Sequence, residues 1–196
     1  MIETATGLVF RTWPLTETSL IVRWLTPSVG RLATVAKGAR RLKSPFHGKL
    51  DLFYRADFSF SRSRRSELHT LREVTLHETY SSLRHNLELL RQASWCAALI
   101  ERATETETPL PGVFDLMLDL LRHLSSQPAQ PHTLLAFELK LLLELGLIPD
   151  LAESKLSPVA CQLVNALTRD AWPLIARLRP HEAQLRELEH FLRGRR

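Results

Sequence analysis

Apolar and polar residues alternate in short segments throughout the first 80 residues, a pattern that predicts β-strands. The segments are separated by polar or glycine- and proline-containing turns, which leave no room for the helices that connect parallel strands. We therefore expect five antiparallel strands, enough to close into a small barrel. The predicted strands are GLVFRTW, TSLIVRWLT, RLATVAKG, LFYRADFSFS and LHTLREVTLHE.

Near residue 80 the apolar spacing changes from every second residue to every third or fourth, which predicts α-helices. The predicted fold class is thus α+β, with an N-terminal OB-fold barrel over residues 1–80 and an α-helical domain over residues 81–196. The predicted helices are SSLRHNLELLRQASWCAALIERATE, GVFDLMLDLLRHLSS, TLLAFELKLLLELG, PVACQLVNALTRD and PHEAQLRELEHFLRG.

The helix TLLAFELKLLLELG is apolar on nearly all sides, which is typical of a helix at the centre of a core. The alternative is a groove that accepts a partner peptide, with Phe137 and Leu141 as its contact residues. Among the aromatic residues, Phe58 and Phe60 share one strand face and are expected inside the barrel. Phe46 leaves core packing and base stacking equally open, whereas core packing is the stronger interpretation for Trp13, Trp24, Phe53 and Tyr54.

The positive charge of the chain is concentrated at one end. The net charge is +5 overall, +6 within residues 1–80 and −1 in the remainder, and no acidic residue occurs between Glu17 and Asp51. Such a one-sided charge is typical of proteins that bind a polyanion, of which nucleic acid is the commonest in a cytosol.

Two basic segments carry most of this charge, VAKGARRLKSPFHGKL (residues 35–50) and SRSRRS (residues 61–66). They could be no more than solvated loops. In an OB barrel, however, they follow the third strand and join the fourth to the fifth, so we expect both to converge on one rim that binds nucleic acid. The predicted contact residues are Arg23, Arg31, Lys37, Arg40, Arg41, Lys43, Lys49, Arg62, Arg64 and Arg65.

Signatures of enzymes are missing from the sequence. Gly48-Lys49 is followed by Leu50 rather than Ser or Thr, and Lys43 occupies the first glycine position of a P-loop, which rules that motif out. Two cysteines, Cys96 and Cys161, cannot supply the four ligands of a structural zinc site. We expect no catalytic residues, no metal and no cofactor.

The sequence predicts a cytoplasmic protein. The apolar stretches are far shorter than the roughly 18 residues of a membrane-spanning helix. The segment MIETATGLVF lacks the features of a signal peptide, and the cysteine pattern fits a reducing compartment.

Four segments of the sequence resemble the bacterial RecO family of recombination mediators and DNA repair proteins. They are ETSLIV (residues 17–22), TPSVGRL, VAKGARR and FELKLLLELGLIPDL (residues 137–151). The resemblance implies an OB domain and a helical domain without catalytic turnover, and binding and annealing of single- and double-stranded DNA. It also implies cooperation with RecR in loading RecA onto DNA coated by single-strand binding protein (SSB). Lys37, Arg40, Arg41 and Lys43 match the DNA-binding loop of the family.

The chain departs from the family pattern at two places. Many members carry a four-cysteine zinc module after the Pro-Asp-Leu exit, whereas here AESKLSPVACQ follows Leu151 and contains Cys161 alone, so no metal is carried over. Ala136 stands where some members have a basic residue near the pocket for the SSB tail. Two alternative functions stay open, an adaptor that docks acidic protein tails and an RNA-binding OB protein.

Overall fold

A computed structural model describes residues 1–151, 154 and 156–193, and confirms the predicted order of five strands followed by helices. The strands are β1 (Ile2–Pro14), β2 (Leu20–Thr26), β3 (Gly30–Ala36), β4 (Arg55–Ser61) and β5 (Leu68–Glu78). A 3₁₀ turn (Ser81–His85) precedes the helices α1 (Leu87–Ala103), α2 (Pro111–Ser126), α3 (Pro131–Glu144), α4 (Pro158–Arg169), α5 (Trp172–Ile175) and α6 (Glu182–Arg193).

The five strands form a closed barrel in the order β1-β2-β3-β5-β4, as in an OB-fold. The first half of the long strand β1 pairs with β4 and the second half with β2, and an irregularity between Val9 and Arg11 lies where it changes partner. One detail of the all-antiparallel expectation is wrong, because β3 and β5 are parallel. Because β4 runs antiparallel to β5, the chain enters β5 in the same direction as β3.

Side chains of alternate strand positions fill the barrel, as the period-two pattern predicts. Phe58 and Phe60 are both buried, and Trp24 stacks on Phe58 with ring centroids 4.1 Å apart. The indole Nε1–H of Trp24 donates a 2.9 Å hydrogen bond to Oγ1 of Thr34, which satisfies the polar atom of this buried ring. The prediction that Phe58 and Phe60 belong to the core is confirmed.

Residues 101–115 group with the strands rather than with the helices. They and residues 1–81 form one compact unit, the barrel unit, while residues 82–100 and the described residues from 116 to 193 form the helical unit. The backbone N–H of Glu107 donates to the carbonyl of Arg31 at 2.8 Å. Gly30 adopts a left-handed conformation (φ +78°), and a Cβ there would lie 2.1 Å from the carbonyl oxygen of Thr108. Glycine is therefore needed where this segment crosses β3. The division into a domain of residues 1–80 and a domain of residues 81–196 stays a prediction.

In the helical unit α4 packs against both α3 and α6, and α3 also contacts α6. Phe137 and Leu141 are buried, 0% and 2% exposed, which confirms the core interpretation of α3. Neither side chain lies at a surface groove, so their assignment as partner contacts has no support from their position. No helix in the described part of the chain is both long and apolar enough to cross a membrane.

Candidate nucleic-acid interface

The loop between β3 and β4 is a chain of tight turns. We call residues 37–50 the basic loop, because its sequence KGARRLKSPFHGKL holds five Lys or Arg residues and no acid. Hydrogen bonds spaced three residues apart run along its backbone, among them from the N–H of Arg41 to the carbonyl of Gly38 (3.1 Å) and from that of Ser44 to that of Arg41 (3.0 Å). These bonds give the loop a defined shape.

Two kinds of contact fix the basic loop to the barrel. Ala39 and Phe46 are buried, and Phe46 packs into the barrel core, so of the two alternatives left open for Phe46 the structure supports core packing. Arg40 binds the β1–β2 loop, its N–H donating to the carbonyl of Thr18 at 3.0 Å and its guanidinium to that of Thr16 at 3.2 Å.

The charged ends of the basic loop remain at the surface. Lys37, Arg40, Arg41 and Lys43 are exposed, and none of the four has an ion-pair partner among the residues that the structure describes. Lys49 differs, because its Nζ donates to the carbonyl of Val74 at 3.2 Å. The loop thus presents four cations within seven residues on an ordered backbone, and no acid in the loop neutralises them. Such a cluster can attract the phosphates of a polyanion.

The second basic segment does not join the first, and the prediction that both share one rim is wrong. The β4–β5 loop (residues 62–67) leads into Leu68, which pairs with Ala33 in the middle of β3. The basic loop begins instead after Ala36, where β3 ends. Because β3 and β5 are parallel, the residues that precede Leu68 lie toward the start of β3, whereas the basic loop leaves from its end.

Arg62 in the β4–β5 loop is held between two acids. Its guanidinium donates to Glu3 (2.8 Å) and to Glu107 (2.5 Å), and these hydrogen bonds raise the arginine pKa. Bonding to Arg62 is the main reason why the pKa of Glu3 is lowered. Burial alone would raise the pKa of Glu107, but hydrogen bonds from His69 and Arg62 outweigh it and lower the value. Arg62 is thus already neutralised within the barrel unit, whereas Arg64 and Arg65 are exposed.

The buried ring of His69 completes this network. Its Nδ1 accepts a hydrogen bond from the backbone N–H of Ser63 (3.2 Å), so the neutral ring carries its proton on Nε2. That nitrogen lies 2.7 Å from a carboxylate oxygen of Glu107. The network ties the β4–β5 loop to the segment that follows α1.

Arg23 on β2 and Arg31 on β3 also bind residues of the segment that begins at Glu101. Glu101, in the last turn of α1, accepts from Arg11 at 3.0 Å and from Arg23 at 3.4 Å. Arg31 donates to the side chain of Thr104 at 2.8 Å and to its carbonyl oxygen, and burial lowers the pKa of this arginine. Both arginines hold the 101–107 segment in place.

The segment 101–107, ERATETE, was not among the predicted functional residues. The sequence offers only one indication of its role, three acidic residues within seven positions. It does not show which arginines these acids pair with. In the structure Glu101 and Glu107 neutralise arginines of the barrel wall. Among the predicted contact residues in the described part of the chain, the exposed ones without an acidic partner are Arg64, Arg65 and four cations of the basic loop, where they are densest.

Trp13 is an aromatic side chain of β1 that is neither fully buried nor packed against the barrel core cluster. It is half-buried near the end of β1, and the guanidinium carbon of Arg23 lies 5.2 Å from its ring centroid. Together with Arg11, Thr12 and Leu52 these two residues line a surface cleft. Core packing, the stronger interpretation from the sequence, therefore does not describe Trp13, although it does describe Trp24 and Phe53.

Within the described ranges, no group of three or more His, Cys, Asp or Glu residues is arranged so that it could hold a metal ion. The segment after Leu151, in which we expect the zinc module to be missing, lies partly outside the described residues, since residues 152, 153 and 155 are not among them.

Comparison with known proteins gives matches over most of the chain. Residues 1–80 match the family model described as "Recombination protein O N terminal", and residues 84–157 match "Recombination protein O C terminal". The DNA repair protein RecO of Rhodopirellula baltica is 34% identical over 143 residues, which are 73% of this chain and 53% of the relative. RecO of Exiguobacterium sibiricum is 32% identical over 151 residues (77% and 60%), and that of Listeria monocytogenes 31% over 147 residues (75% and 57%). The chain thus spans little more than half the length of these curated relatives.

Proposed function

The chain belongs to the recombination protein O (RecO) family, and we propose that it binds DNA through its basic loop and acts as a recombination mediator. Family membership supports a role in DNA repair and recombination. The observation that carries the proposal for the site is the exposure of Lys37, Arg40, Arg41 and Lys43 on a loop that holds no acid. We propose no catalytic turnover.

The physical basis of binding is the neutralisation of phosphates. Each cation that pairs with a phosphate releases counterions from the DNA, so affinity falls steeply as salt rises. Contacts to the backbone do not read base sequence, so we expect little sequence preference. Annealing requires that two like-charged strands approach one another, and a dense patch of cations lowers that repulsion.

The partners belong to the proposal as well. We propose that the chain acts on single strands coated by SSB and cooperates with RecR in loading RecA, which is the full activity of a recombination mediator. Support for these partners comes from the family, and the chain spans only part of its curated relatives.

Reversing two charges tests the basic loop. The double substitution Arg40→Glu and Arg41→Glu replaces two cations by two anions at exposed positions, and we expect about tenfold or greater loss of affinity for a single-stranded oligonucleotide at moderate salt. The slope of log affinity against log salt should become shallower by about 0.7 for each phosphate that the variant no longer neutralises. Fluorescence anisotropy over a salt series measures both quantities.

Two matched variants separate the loop from a general effect of charge. Arg64→Glu with Arg65→Glu makes the same change in the β4–β5 loop, and Arg91→Glu with Arg177→Glu makes it at exposed positions of the helical unit. We expect both to bind more tightly than the loop variant. Equal losses in all three would show that net charge alone governs binding. An unchanged affinity of the loop variant, with an unchanged thermal melt, would remove the assignment of the loop.

A competition experiment distinguishes the mediator from an adaptor for acidic protein tails. An adaptor binds an acidic peptide far better than naked DNA, so low concentrations of the peptide would displace a labelled oligonucleotide. We expect the oligonucleotide to win at equal charge, because binding to DNA also releases the counterions that condense on its backbone. The same assay with a structured RNA in place of the peptide tests the RNA-binding alternative.

A further inference from the structure

We propose that Trp13 is a stacking platform for a base of single-stranded DNA, placed beside the loop that binds the phosphates. The inference rests on the proposed function of the basic loop and adds to it a residue and a preference for the type of strand.

The position of Trp13 sets it apart from the other aromatic residues of the barrel. It lies half-buried near the end of β1 and is not part of the core cluster. Tyr54 is partly exposed but packs against that cluster. The remaining aromatic side chains of residues 1–81 are at most 7% exposed, and they are Phe10, Trp24, Phe46, Phe53, Phe58, Phe60 and Tyr80.

The surroundings of Trp13 suit a nucleotide. The guanidinium of Arg23 lies over the ring, and Arg11 lines the same cleft. The indole ring and the flat guanidinium over it both offer a surface on which a base can stack, while the basic loop supplies the charge for the phosphates. Because Glu101 bonds to both arginines, it keeps the guanidinium of Arg23 in a fixed place.

Strand pairing places Trp13 close to the proposed phosphate site. Trp13 is opposite Ile21, and the adjoining β1–β2 loop supplies the carbonyls of Thr16 and Thr18 that hold Arg40. Thr16 is the third residue after Trp13 in the chain. A DNA strand whose phosphates rest on the basic loop therefore passes within reach of the cleft.

A stacking site of this kind selects single strands. In a duplex both faces of each base are covered by neighbouring bases, whereas an unpaired base can place one face against the indole. The basic loop binds the phosphates of either form. Trp13 should therefore contribute to the affinity for single strands and not to that for duplexes.

Substitution of Trp13 tests this with three ligands of equal length: a thymidine oligonucleotide, a duplex, and an abasic strand that carries the same phosphates. We expect Trp13→Ala to bind the thymidine strand about tenfold more weakly, in the range known for base–aromatic stacking. Its affinity for the duplex and for the abasic strand, and its salt slope, should be unchanged. Trp13→Phe should retain most of the single-strand affinity, since it keeps an aromatic face.

Crosslinking supplies a test on the unmodified protein. A thymidine strand that contains 5-iodouracil is irradiated in the complex, and the crosslinked peptide is identified by mass spectrometry. Trypsin cleaves after Arg11 and Arg23, so Trp13 lies in the peptide Thr12–Arg23, in which it is the only aromatic residue. We expect the crosslink in this peptide, and its loss in Trp13→Ala.

The outcomes separate this inference from the proposed function. Stacking is overturned, and the basic loop retained, if the crosslink forms elsewhere, or if Trp13→Ala weakens binding to the abasic strand as much as to the thymidine strand. If the Arg40→Glu and Arg41→Glu variant binds all three ligands as well as the wild-type protein does, the basic loop fails. A Trp13 effect confined to the thymidine strand would then still support the stacking site.

Discussion

Glu101 shows how one carboxylate can set the charge of a protein surface. It is 12% exposed and accepts from both Arg11 and Arg23, so two arginines of the strongly basic N-terminal region are partly neutralised by the protein itself. Exposed ion pairs contribute little to stability, but they do remove charge that would otherwise attract phosphate.

Removing that carboxylate should strengthen DNA binding. Glu101→Gln keeps the size of the side chain and leaves Arg11 and Arg23 without a negative partner. We expect affinity for a single strand to rise about two- to fivefold at low salt, and the salt slope to steepen by about 0.7 for each additional phosphate that is neutralised. Anisotropy titrations at several salt concentrations measure both.

Glu105 provides the matched control. It is exposed, and no arginine of the described residues pairs with it, so Glu105→Gln changes the net charge equally without releasing a cation. An equal rise in affinity for both variants would mean that the overall charge, and not the release of Arg11 and Arg23, governs binding. A loss of affinity in Glu101→Gln would indicate that the ion pairs hold the arginines where DNA needs them.

At the scale of elements, the basic loop is a preformed structure. Its successive turns and the buried Phe46 fix the backbone before any ligand binds. Binding therefore does not carry the entropic cost of ordering the loop backbone.

A second element-scale feature is the pair of buried histidines on α2 and α3. Burial lowers the pKa of both His123 and His132. His123 stacks on Trp172 with centroids 4.9 Å apart, and His132 lies 3.0 Å from the carbonyl oxygen of Ile175. Through these contacts the two rings join α2 and α3 to the segment that contains α5.

These histidines predict a loss of stability in mild acid. In the unfolded chain they bind protons near pH 6.5, whereas in the folded helical unit they do so only at lower pH. The unfolded state thus binds more protons below that value, so the free energy of unfolding should fall as pH decreases from about 7 toward 5. Glu3, Asp57 and Glu107, whose pKa values are lowered, add a further loss only below about pH 4.5.

The measurement is urea unfolding followed by circular dichroism at several pH values. His123→Phe keeps a ring to stack on Trp172 and removes one titrating group, so its stability should change less between pH 7 and 5. His181→Gln, at an exposed position, serves as control and should behave like the wild-type protein. A wild-type stability that is constant over this range would contradict the expected proton linkage.

At the scale of the whole molecule, the fold redistributes the charge that the sequence concentrates at one end. Residues 101–115 bring one arginine and four acids to the barrel unit, which lowers its net charge from +6 to +3. The positive charge of the barrel unit is therefore smaller than that of residues 1–80 alone, and binding should depend on the local charge of the basic loop.

The activity of the whole chain is tested by annealing. We expect the protein to accelerate annealing of two complementary oligonucleotides, each coated by cognate SSB, and the Arg40→Glu and Arg41→Glu variant to be about tenfold or more slower. A fluorescence-quenching pair on the two strands gives the rate across a salt series. Binding of bare DNA without annealing of coated strands would retain the DNA surface and contradict the mediator function.

The sequence alone determined the five strands, five of the six helices in the described part of the chain, the OB barrel and the basic loop, because these follow from local periodicity and from a run of like charges; the four-residue helix α5 is too short to show a period. It also indicated the family through short segments such as VAKGARR. Tertiary structure decided which cations stay uncompensated. The parallel pairing of β3 with β5 separates Arg64 and Arg65 from the basic loop, and Glu101 and Glu107 reach arginines more than 40 residues away. Such pairings depend on distance in space, which no local pattern encodes, and so does the position of Trp13 outside the core.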